Sequence, residues 1–302
     1  MSFSTLDLTF EGEVARLAFT TKRGALPPPF WRELSAALGQ LGGARALVLT
    51  GAGPDFSVGL DLKATAPVIA DLMPRPGAFV GLVREMQAAV EALASLPIVT
   101  VAALSGWCIG AGLEIACACD LRLASQEARL SLPEVRLGLV ADLGGLGRLP
   151  RLVGEGPARW LALTGEPLPA EGALRLGLLG EVLESPEALQ ARALELARLV
   201  AAHPPRAVMG SKRVLNERLP HAEGLALAAR WNAEHLDLAA LAGALGPQKP
   251  PIAAEAAPSG ASPAPSPEAP SEAAPPVPTP APVPAPSIGR HAGPPSASKE
   301  PS

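Results

Sequence analysis

Hydrophobic and polar residues follow two different periods in the first half of the chain. Short apolar runs at 16–19 and 44–50 have the length and composition of β-strands. Between them, from Pro29 to Leu41, apolar positions recur three and four residues apart, as on one face of an amphipathic helix. Another strand-like run follows at 121–125. Strands that alternate with helices and loops predict a mixed α/β domain.

The most apolar segment, residues 98–121, approaches the length of a membrane-spanning helix. Two features oppose that interpretation, because Glu114 would lie in the hydrocarbon and three glycines interrupt the run. We predict instead a buried strand from Ile98 to Leu104, a glycine-rich turn, and a buried helix from Ala111 to Cys119.

The second half of the chain is almost wholly helical in its pattern. Apolar positions keep a spacing of three and four residues, which predicts helices at 157–163, 170–176, 186–202, 205–217 and 221–242.

The helical pattern ends in a proline-rich segment. Of the 35 prolines in the chain, 18 lie between Pro247 and Ser302, mixed with alanine and serine. Such a composition buries too little apolar surface to offset the entropy of ordering, so we predict a disordered tail. The chain then divides into a core at 1–190, a helical region at 191–245 and this tail at 246–302.

Charge and cysteine usage narrow the class of protein. The formal net charge of −4 argues against nucleic-acid binding by phosphate neutralisation. The three cysteines, at 108, 117 and 119, are an odd number, and the N-terminal sequence has no basic stretch ahead of an apolar run. These features predict a reduced, cytoplasmic setting. The four histidines are scattered away from the cysteines, so we expect no metal site.

Two glycine-rich turns that follow apolar strands are candidates for chemistry. They lie in LVLTGAGPDFSVGLDLK (47–63) and VTVAALSGWCIGAGLEIACACD (99–120), and neither fits a dinucleotide fingerprint or a phosphate loop. Glycines let backbone N–H groups point into a cleft, and the second turn runs into a helix N-terminus that favours negative charge. Two such donors outline an oxyanion hole. The alternative is that both segments merely connect a strand to a helix.

Three acidic residues lie among apolar neighbours, namely Glu114, Glu134 and Asp142. A carboxylate in such a setting is costly unless it is paired or functional. Glu114 falls in the first turn of the predicted helix, close to the oxyanion donors, where it could also simply stabilise the helix dipole. Arg136 and Arg148 are candidate partners that would give the other two acids a structural role.

Together these segments resemble the enoyl-CoA hydratase/isomerase family, the crotonase superfamily. The blocks that carry the resemblance are FSVGLDL (56–62), SGWCIGAGLEIACACD (105–120) and PEVRLGLVADLGGLGRLP (133–150), and it covers about residues 10–245. It implies a crotonase-like spiral of ββα units with a C-terminal helical oligomerisation region, assembled as a homotrimer or hexamer. It implies an acyl-CoA thioester substrate and no further cofactor, because the CoA belongs to the substrate.

The resemblance also gives roles to five residues. It implies backbone oxyanion donors at Leu60 and Ala111. Glu114 and Glu134 match the two glutamates of the hydratases, one of which activates water for attack at C3 of a trans-2-enoyl-CoA while the other delivers a proton to C2. Glu134 and Asp142 match the acidic pair with which Δ3,5-Δ2,4-dienoyl-CoA isomerases move a proton along a conjugated diene. We expect a hydratase, with the isomerase as the alternative.

One segment departs from the family pattern. The N-terminal stretch that helps to place the nucleotide end of CoA in relatives is replaced by TTKRGALPPPFW (20–31). Lys63, Lys212 and Arg213 are then candidate phosphate contacts, with exposed solubilising charge as the alternative. A hypothesis of another class makes the fold a non-catalytic scaffold whose polyproline-prone segment, 274–286, binds an unknown partner. The three retained acids favour the enzyme.

Overall fold

The computed structural model describes residues 2–245, in which strands and helices alternate. The strands are β1 (Leu6–Glu11), β2 (Val14–Phe19), β3 (Ala46–Gly51), β4 (Val99–Leu104), β5 (Trp107–Ile109), β6 (Leu121–Ser125), β7 (Arg129–Ser131), β8 (Leu168–Pro169) and β9 (Glu181–Leu183). The helices are α1 (Pro28–Leu38), α2 (Leu62–Leu72), α3 (Pro76–Ala94), α4 (Ala111–Ala118), α5 (Gly145–Val153), α6 (Glu155–Thr164), α7 (Ala170–Arg175), α8 (Pro186–Ala201), α9 (Pro205–Glu217), α10 (His221–His235) and α11 (Leu238–Leu245).

The strands form two sheets. The larger has the order β1-β2-β3-β4-β6-β9, in which only the β1–β2 pair is antiparallel. In its centre Leu17 pairs with Leu49, and Leu49 pairs with Ala102. The smaller sheet has the order β5-β7-β8. The predicted mixed α/β class is confirmed.

Helices cover both faces of the larger sheet, which explains why its central strands β3 and β4 are mostly apolar and almost wholly buried. On β3, Leu47 and Leu49 face a core shared with α1, α3 and α4, while Ala46 and Val48 face the opposite side. There, α8 packs against the sheet along one stripe of buried residues at every fourth position, Leu189, Ala193, Ala197 and Ala201. The predicted boundary between the core and the helical region, at residue 190, falls within helix α8.

Helix α9 is tied to the sheet by one buried ion pair. Lys212 Nζ donates to the backbone oxygen of Ile98 at 2.8 Å and to Asp120 Oδ2 at 2.7 Å. Asp120 also accepts the backbone and hydroxyl donors of Thr100 on β4. Helix α10 packs on α9, where the Trp231 indole donates to the Arg206 carbonyl at 2.8 Å.

The predicted elements are present, with two corrections. The predicted turn between strand and helix at 105–110 contains the short strand β5. The single helix predicted at 221–242 is wrong, because it is divided between α10 and α11. Asp237 accepts a hydrogen bond from Ala240 N at 2.9 Å and so caps a new helix. The pattern did not predict the helices α2, α3 and α5 or the strands β1, β7, β8 and β9.

The segment that approached the length of a membrane span folds as β4, β5 and α4. No helix within residues 2–245 is long and apolar enough to cross a membrane. The tail predicted at 246–302, including the polyproline-prone segment, lies outside the described residues.

Candidate active site

All five predicted site residues line one cavity of about 110 Å³. Two of its walls are the loops that leave β3 and β4. Because these strands are parallel neighbours, their carboxyl ends lie at the same edge of the sheet, where ligands of such sheets commonly bind. Helices α2 and α3 and the segment 133–143 complete the lining, which comprises Val58, Leu60, Leu62, Ile69, Phe79, Leu82, Val83, Met86, Ala111, Glu114, Pro133, Glu134, Leu137, Leu139, Val140, Asp142 and Leu143.

The backbone N–H of Leu60 is free to bind a ligand. Among the five consecutive amides at 57–61, four donate to protein acceptors at 3.0–3.2 Å, and that of Leu60 has no acceptor within the described chain. The Gly59 carbonyl accepts from Leu26 N at 2.9 Å. Since the C=O and N–H of a trans peptide point in opposite directions, the Leu60 N–H points away from Leu26.

A glycine is required at position 59 because the two loops meet there. Gly59 has a φ of +82°, and a β-carbon built on it would lie 2.9 Å from the Ile109 carbonyl oxygen. The same β-carbon would lie 3.7 Å from Ala111 N. The loops that carry the two predicted donors are therefore in contact.

The second predicted donor, Ala111, is the first residue of α4. The first N–H groups of a helix have no partner within the helix, and that of Ala111 finds none elsewhere in residues 2–245. The preceding residue, Gly110, has a φ of +53°, and its own amide donates to the Ser131 carbonyl at 2.9 Å. Its carbonyl accepts from Glu114 N at 2.9 Å, which turns the Ala111 N–H outward from the helix end.

Glu114 is buried in the first turn of α4, with only 2% of its surface exposed. Its Oε1 accepts hydrogen bonds from the backbone N–H of Leu143 at 3.0 Å and of Gly145 at 2.8 Å. Burial raises the pKa of Glu114 to about 7, although these two donors act in the opposite direction. A carboxyl group with such a pKa can exchange protons near neutral pH.

Glu134 is half-buried at the start of a short 3-10 helix, Glu134–Leu137. Its Oε2 is buried without a hydrogen-bond partner among the residues that the structure describes. Its Oε1 lies against Gly110, where a β-carbon would come within 2.7 Å of it. Desolvation raises the pKa of Glu134; a backbone hydrogen bond acts in the opposite direction, and the charge of Asp142 adds a smaller increase.

Asp142 also lines the cavity, although it is exposed to solvent. Desolvation by the surrounding protein atoms raises the pKa of its carboxyl group. Its backbone carbonyl accepts from Gln87 Nε2 at 2.7 Å, which ties this segment to α3.

None of the three acids has a cationic partner within residues 2–245. The predicted partners are occupied elsewhere, because Arg136 Nε donates to the Thr164 carbonyl at 2.9 Å and Arg148 Nη2 pairs with Glu91 at 2.6 Å. The interpretation of the acids as members of structural ion pairs with these arginines is therefore wrong.

The prediction of Lys212 as a phosphate contact is wrong, because its side chain is only 7% exposed and is bound to Ile98 and Asp120. Arg213 pairs with Glu217 of its own helix at 3.2 Å. Lys63 is exposed in the first turn of α2.

The apolar wall of the cavity was missed by the sequence reasoning. It comes largely from α3, whose Phe79, Leu82, Val83 and Met86 line the cavity. The signal was present, since these positions, with Val90 and Leu93, recur at a helical spacing.

Residues 10–235 match the model of the enoyl-CoA hydratase/isomerase family. The chain belongs to this family, the crotonase superfamily. The resemblance and the crotonase-like fold that it implied are therefore confirmed, and the chain is an acyl-CoA enzyme of that family.

Individual relatives carry two different activity names. The chain is 33% identical over 225 residues to the human mitochondrial Δ(3,5)-Δ(2,4)-dienoyl-CoA isomerase, and this match covers 70% of this chain and 68% of the isomerase. It is also 33% identical over 222 residues to a short-chain-enoyl-CoA hydratase from Clostridium acetobutylicum, and this match covers 72% of this chain and 82% of the hydratase.

A solved structure from Thermobifida fusca holds acetoacetyl-CoA. It shares 32% identity with this chain at a TM-score of 0.70, and the match covers 80% of this chain and 96% of that one. A relative with the same fold therefore binds an acyl-CoA thioester.

Proposed function

We propose that the protein hydrates trans-2-enoyl-CoA thioesters at the cavity between the two oxyanion loops. One observation carries the proposal: two backbone N–H groups without acceptors, one buried carboxyl group and one half-buried carboxyl group line the same small cavity, and neither acid has a cation among residues 2–245. Donors of this kind stabilise an enolate oxygen, and two acids can move the protons that addition of water requires.

The chemistry follows from the placement of each group. The thioester oxygen lies between the N–H groups of Leu60 and Ala111, which stabilise the negative charge that develops there as water adds. Glu134 lies against Gly110, beside the second donor, and thus close to C2, the carbon next to the carbonyl. Ionised Glu114 holds the water and takes one of its protons as the oxygen bonds to C3, while protonated Glu134 gives its proton to C2. Proton exchange with solvent then returns both carboxyl groups to their starting states. No electron is transferred, so the reaction needs no redox cofactor.

Asp142 supports a second candidate, the Δ3,5-Δ2,4-dienoyl-CoA isomerase. Its carboxyl group lines the same cavity as Glu134, and these two acids would pass a proton between the ends of the diene. The relatives named as isomerases also favour it. The hydratase is preferred because Glu114 and Glu134 are the more deeply buried pair, whereas Asp142 is exposed.

The test is to give the purified full-length protein a trans-2-enoyl-CoA and, separately, a 3,5-dienoyl-CoA. Hydration is followed by the loss of the enoyl thioester absorbance, and isomerisation by the appearance of the 2,4-dienoyl absorbance. Turnover of the enoyl-CoA with little turnover of the dienoyl-CoA is expected. The opposite preference would establish the second candidate, and failure on both substrates would favour the scaffold hypothesis.

The helical region supports an oligomer. None of the residues of α10 is buried, and the exposed leucines of α10 and the segment that follows it are Leu225, Leu236, Leu238 and Leu241. Another copy of the chain would cover this surface in the homotrimer or hexamer, which light scattering of the purified protein would detect. A cytoplasmic location also stays a proposal.

A further inference from the structure

Ser57 lies at the junction of the two loops that carry the oxyanion donors. It is fully buried and belongs to neither the acids nor the donors of the proposed site. We propose that Ser57 is a positioning residue that fixes the separation of the Leu60 and Ala111 N–H groups. The proposal rests on the proposed function only in taking these two amides as the groups that bind a thioester oxygen.

The backbone of Ser57 joins its loop to β5. Its N–H donates to the Trp107 carbonyl at 3.0 Å, and its carbonyl accepts from Ile109 N at 2.9 Å. These two bonds form a short parallel bridge with Cys108. The loop that carries Leu60 is thereby bonded to Ile109, which lies two residues before Ala111 in the sequence.

The side chain of Ser57 fixes the remainder of its own loop. Its hydroxyl donates to the Gly24 carbonyl at 2.7 Å and accepts from Gly59 N at 3.1 Å. The hydroxyl therefore supplies the acceptor that the amide just before Leu60 would otherwise lack. Loss of this oxygen would leave the buried Gly59 amide without an acceptor, which is unfavourable, so the protein would adopt a different conformation at residues 58–60.

The same side chain also contacts the beginning of α4. A β-carbon built on Gly112 would lie 2.6 Å from Ser57 Cβ and 2.8 Å from its Oγ, so the two residues are in direct contact. Gly112 follows Ala111, the second donor. Ser57 thus touches the segment next to each donor, through a hydrogen bond to Gly59 on one side and packing on Gly112 on the other.

This placement predicts an effect on polarisation of the substrate rather than on its binding. Ser57 does not line the cavity, so its loss removes no contact with the acyl chain. Displacement of a donor weakens the hydrogen bonds to the thioester oxygen, which matter most when negative charge develops in the transition state. Loss of one whole donor lowers kcat by about 100- to 1000-fold, so a misplaced donor is expected to lower it by about tenfold.

The experiment compares the wild-type protein with Ser57→Ala by two measurements. The first is kcat and KM for hydration of a trans-2-enoyl-CoA. The second is the infrared stretching frequency of the thioester carbonyl in bound butyryl-CoA labelled with ¹³C at that carbon, which does not react. We expect Ser57→Ala to lower kcat by about tenfold with KM changed by less than about threefold, and to return the carbonyl frequency toward that of free butyryl-CoA.

Ser125→Ala is the matched control. Ser125 is equally buried on β6, which does not line the cavity, and its hydroxyl donates to Glu127 Oε1 at 2.6 Å. It should leave both the carbonyl frequency and kcat unchanged. Ser57→Cys retains a weak donor and acceptor and should fall between Ser57→Ala and the wild type.

Equal carbonyl frequencies in the wild type and Ser57→Ala would overturn the proposal, as would a wild-type frequency equal to that of free butyryl-CoA. A shifted wild-type frequency that Ser57→Ala abolishes would support it even if no enoyl-CoA is hydrated. That combination would contradict the proposed hydratase activity alone.

Discussion

Two cavities at opposite ends of helix α4 differ in how the charged groups in their linings are paired. The larger, of about 980 Å³, lies between α9 and the C-terminal end of α4, and each of the two acids in its lining is paired with a cation. There Lys212 binds Asp120, and Arg148 binds Glu91. The smaller, of about 110 Å³, lies at the N-terminal end of α4 and holds three carboxyl groups without a cation among the described residues. Acids without a cationic partner among the described residues, rather than volume, distinguish the candidate active site.

The side chains of α4 show the same contrast. Burial raises the pKa of Glu114, in the first turn, to about 7. Burial also raises the pKa of Cys117, near the other end, and of Cys119, just after the helix, to about 12, and both cysteines line the larger cavity. Thiols with such values are protonated near neutral pH and are poor nucleophiles. One helix therefore presents a group that exchanges protons to the small cavity and inert groups to the large one.

The largest expected effect is on turnover. Glu114→Gln keeps the size of the side chain and an oxygen that can accept from Leu143 and Gly145, but it cannot take a proton from water. We expect kcat for hydration to fall by about 1000-fold, within the usual range for loss of an acid or base. In the wild type kcat/KM should rise with pH through about 7, as Glu114 ionises. A variant that keeps this rise and the wild-type rate would show that Glu114 is structural.

The same substitution should stabilise the protein at high pH. Because the pKa of Glu114 is raised by burial, the folded state binds the proton more tightly, and its stabilising effect is present below about 4.5 and lost as pH rises through about 7. Relative to the wild type, Glu114→Gln should gain up to about 3 kcal/mol of unfolding free energy between pH 4.5 and 8. Urea denaturation at both pH values measures this gain, and a difference that does not depend on pH would contradict it.

A smaller effect is expected in the large cavity, and on stability alone. Lys212→Met leaves Asp120 without its cation, and we expect the unfolding free energy to fall by about 2 kcal/mol while kcat changes by less than about twofold. The control is Arg213→Met, whose exposed pair with Glu217 should contribute less than about 1 kcal/mol. A loss of turnover in Lys212→Met without a loss of stability would give the large cavity a catalytic role.

The smallest effect is expected for Asp142. Because this acid is exposed and takes no part in the proposed hydration, Asp142→Asn should change kcat for a trans-2-enoyl-CoA by less than about threefold. Any isomerisation of a 3,5-dienoyl-CoA should fall by about 100-fold or more. An equal fall in kcat on both substrates would show that Asp142 also takes part in hydration.

The sequence predicts the features of the site that depend on neighbouring residues. Glu114 is placed beside Ala111 by one helical turn, and Gly59 is placed before Leu60 by the chain itself. The glycines, the acids and the apolar strands are therefore all visible as local patterns, and the family resemblance supplies their order.

Long-range pairing is what the sequence does not reveal. Arg148 binds Glu91, 57 residues away, rather than the nearer acids, and Lys212 lies 92 residues from Asp120. Such pairs depend on how helices pack and not on any period. Similarly, one capping carboxylate, Asp237, ends a helical pattern that looks continuous in hydropathy.

The most direct test of the small cavity as the active site is the initial rate of hydration of one trans-2-enoyl-CoA by the wild type and by Glu134→Gln. Glu134 has a buried oxygen with no partner within residues 2–245, and its loss should remove the proton delivered to C2 and lower kcat by about 1000-fold at equal folded protein. Wild-type turnover that persists unchanged in Glu134→Gln would contradict the account.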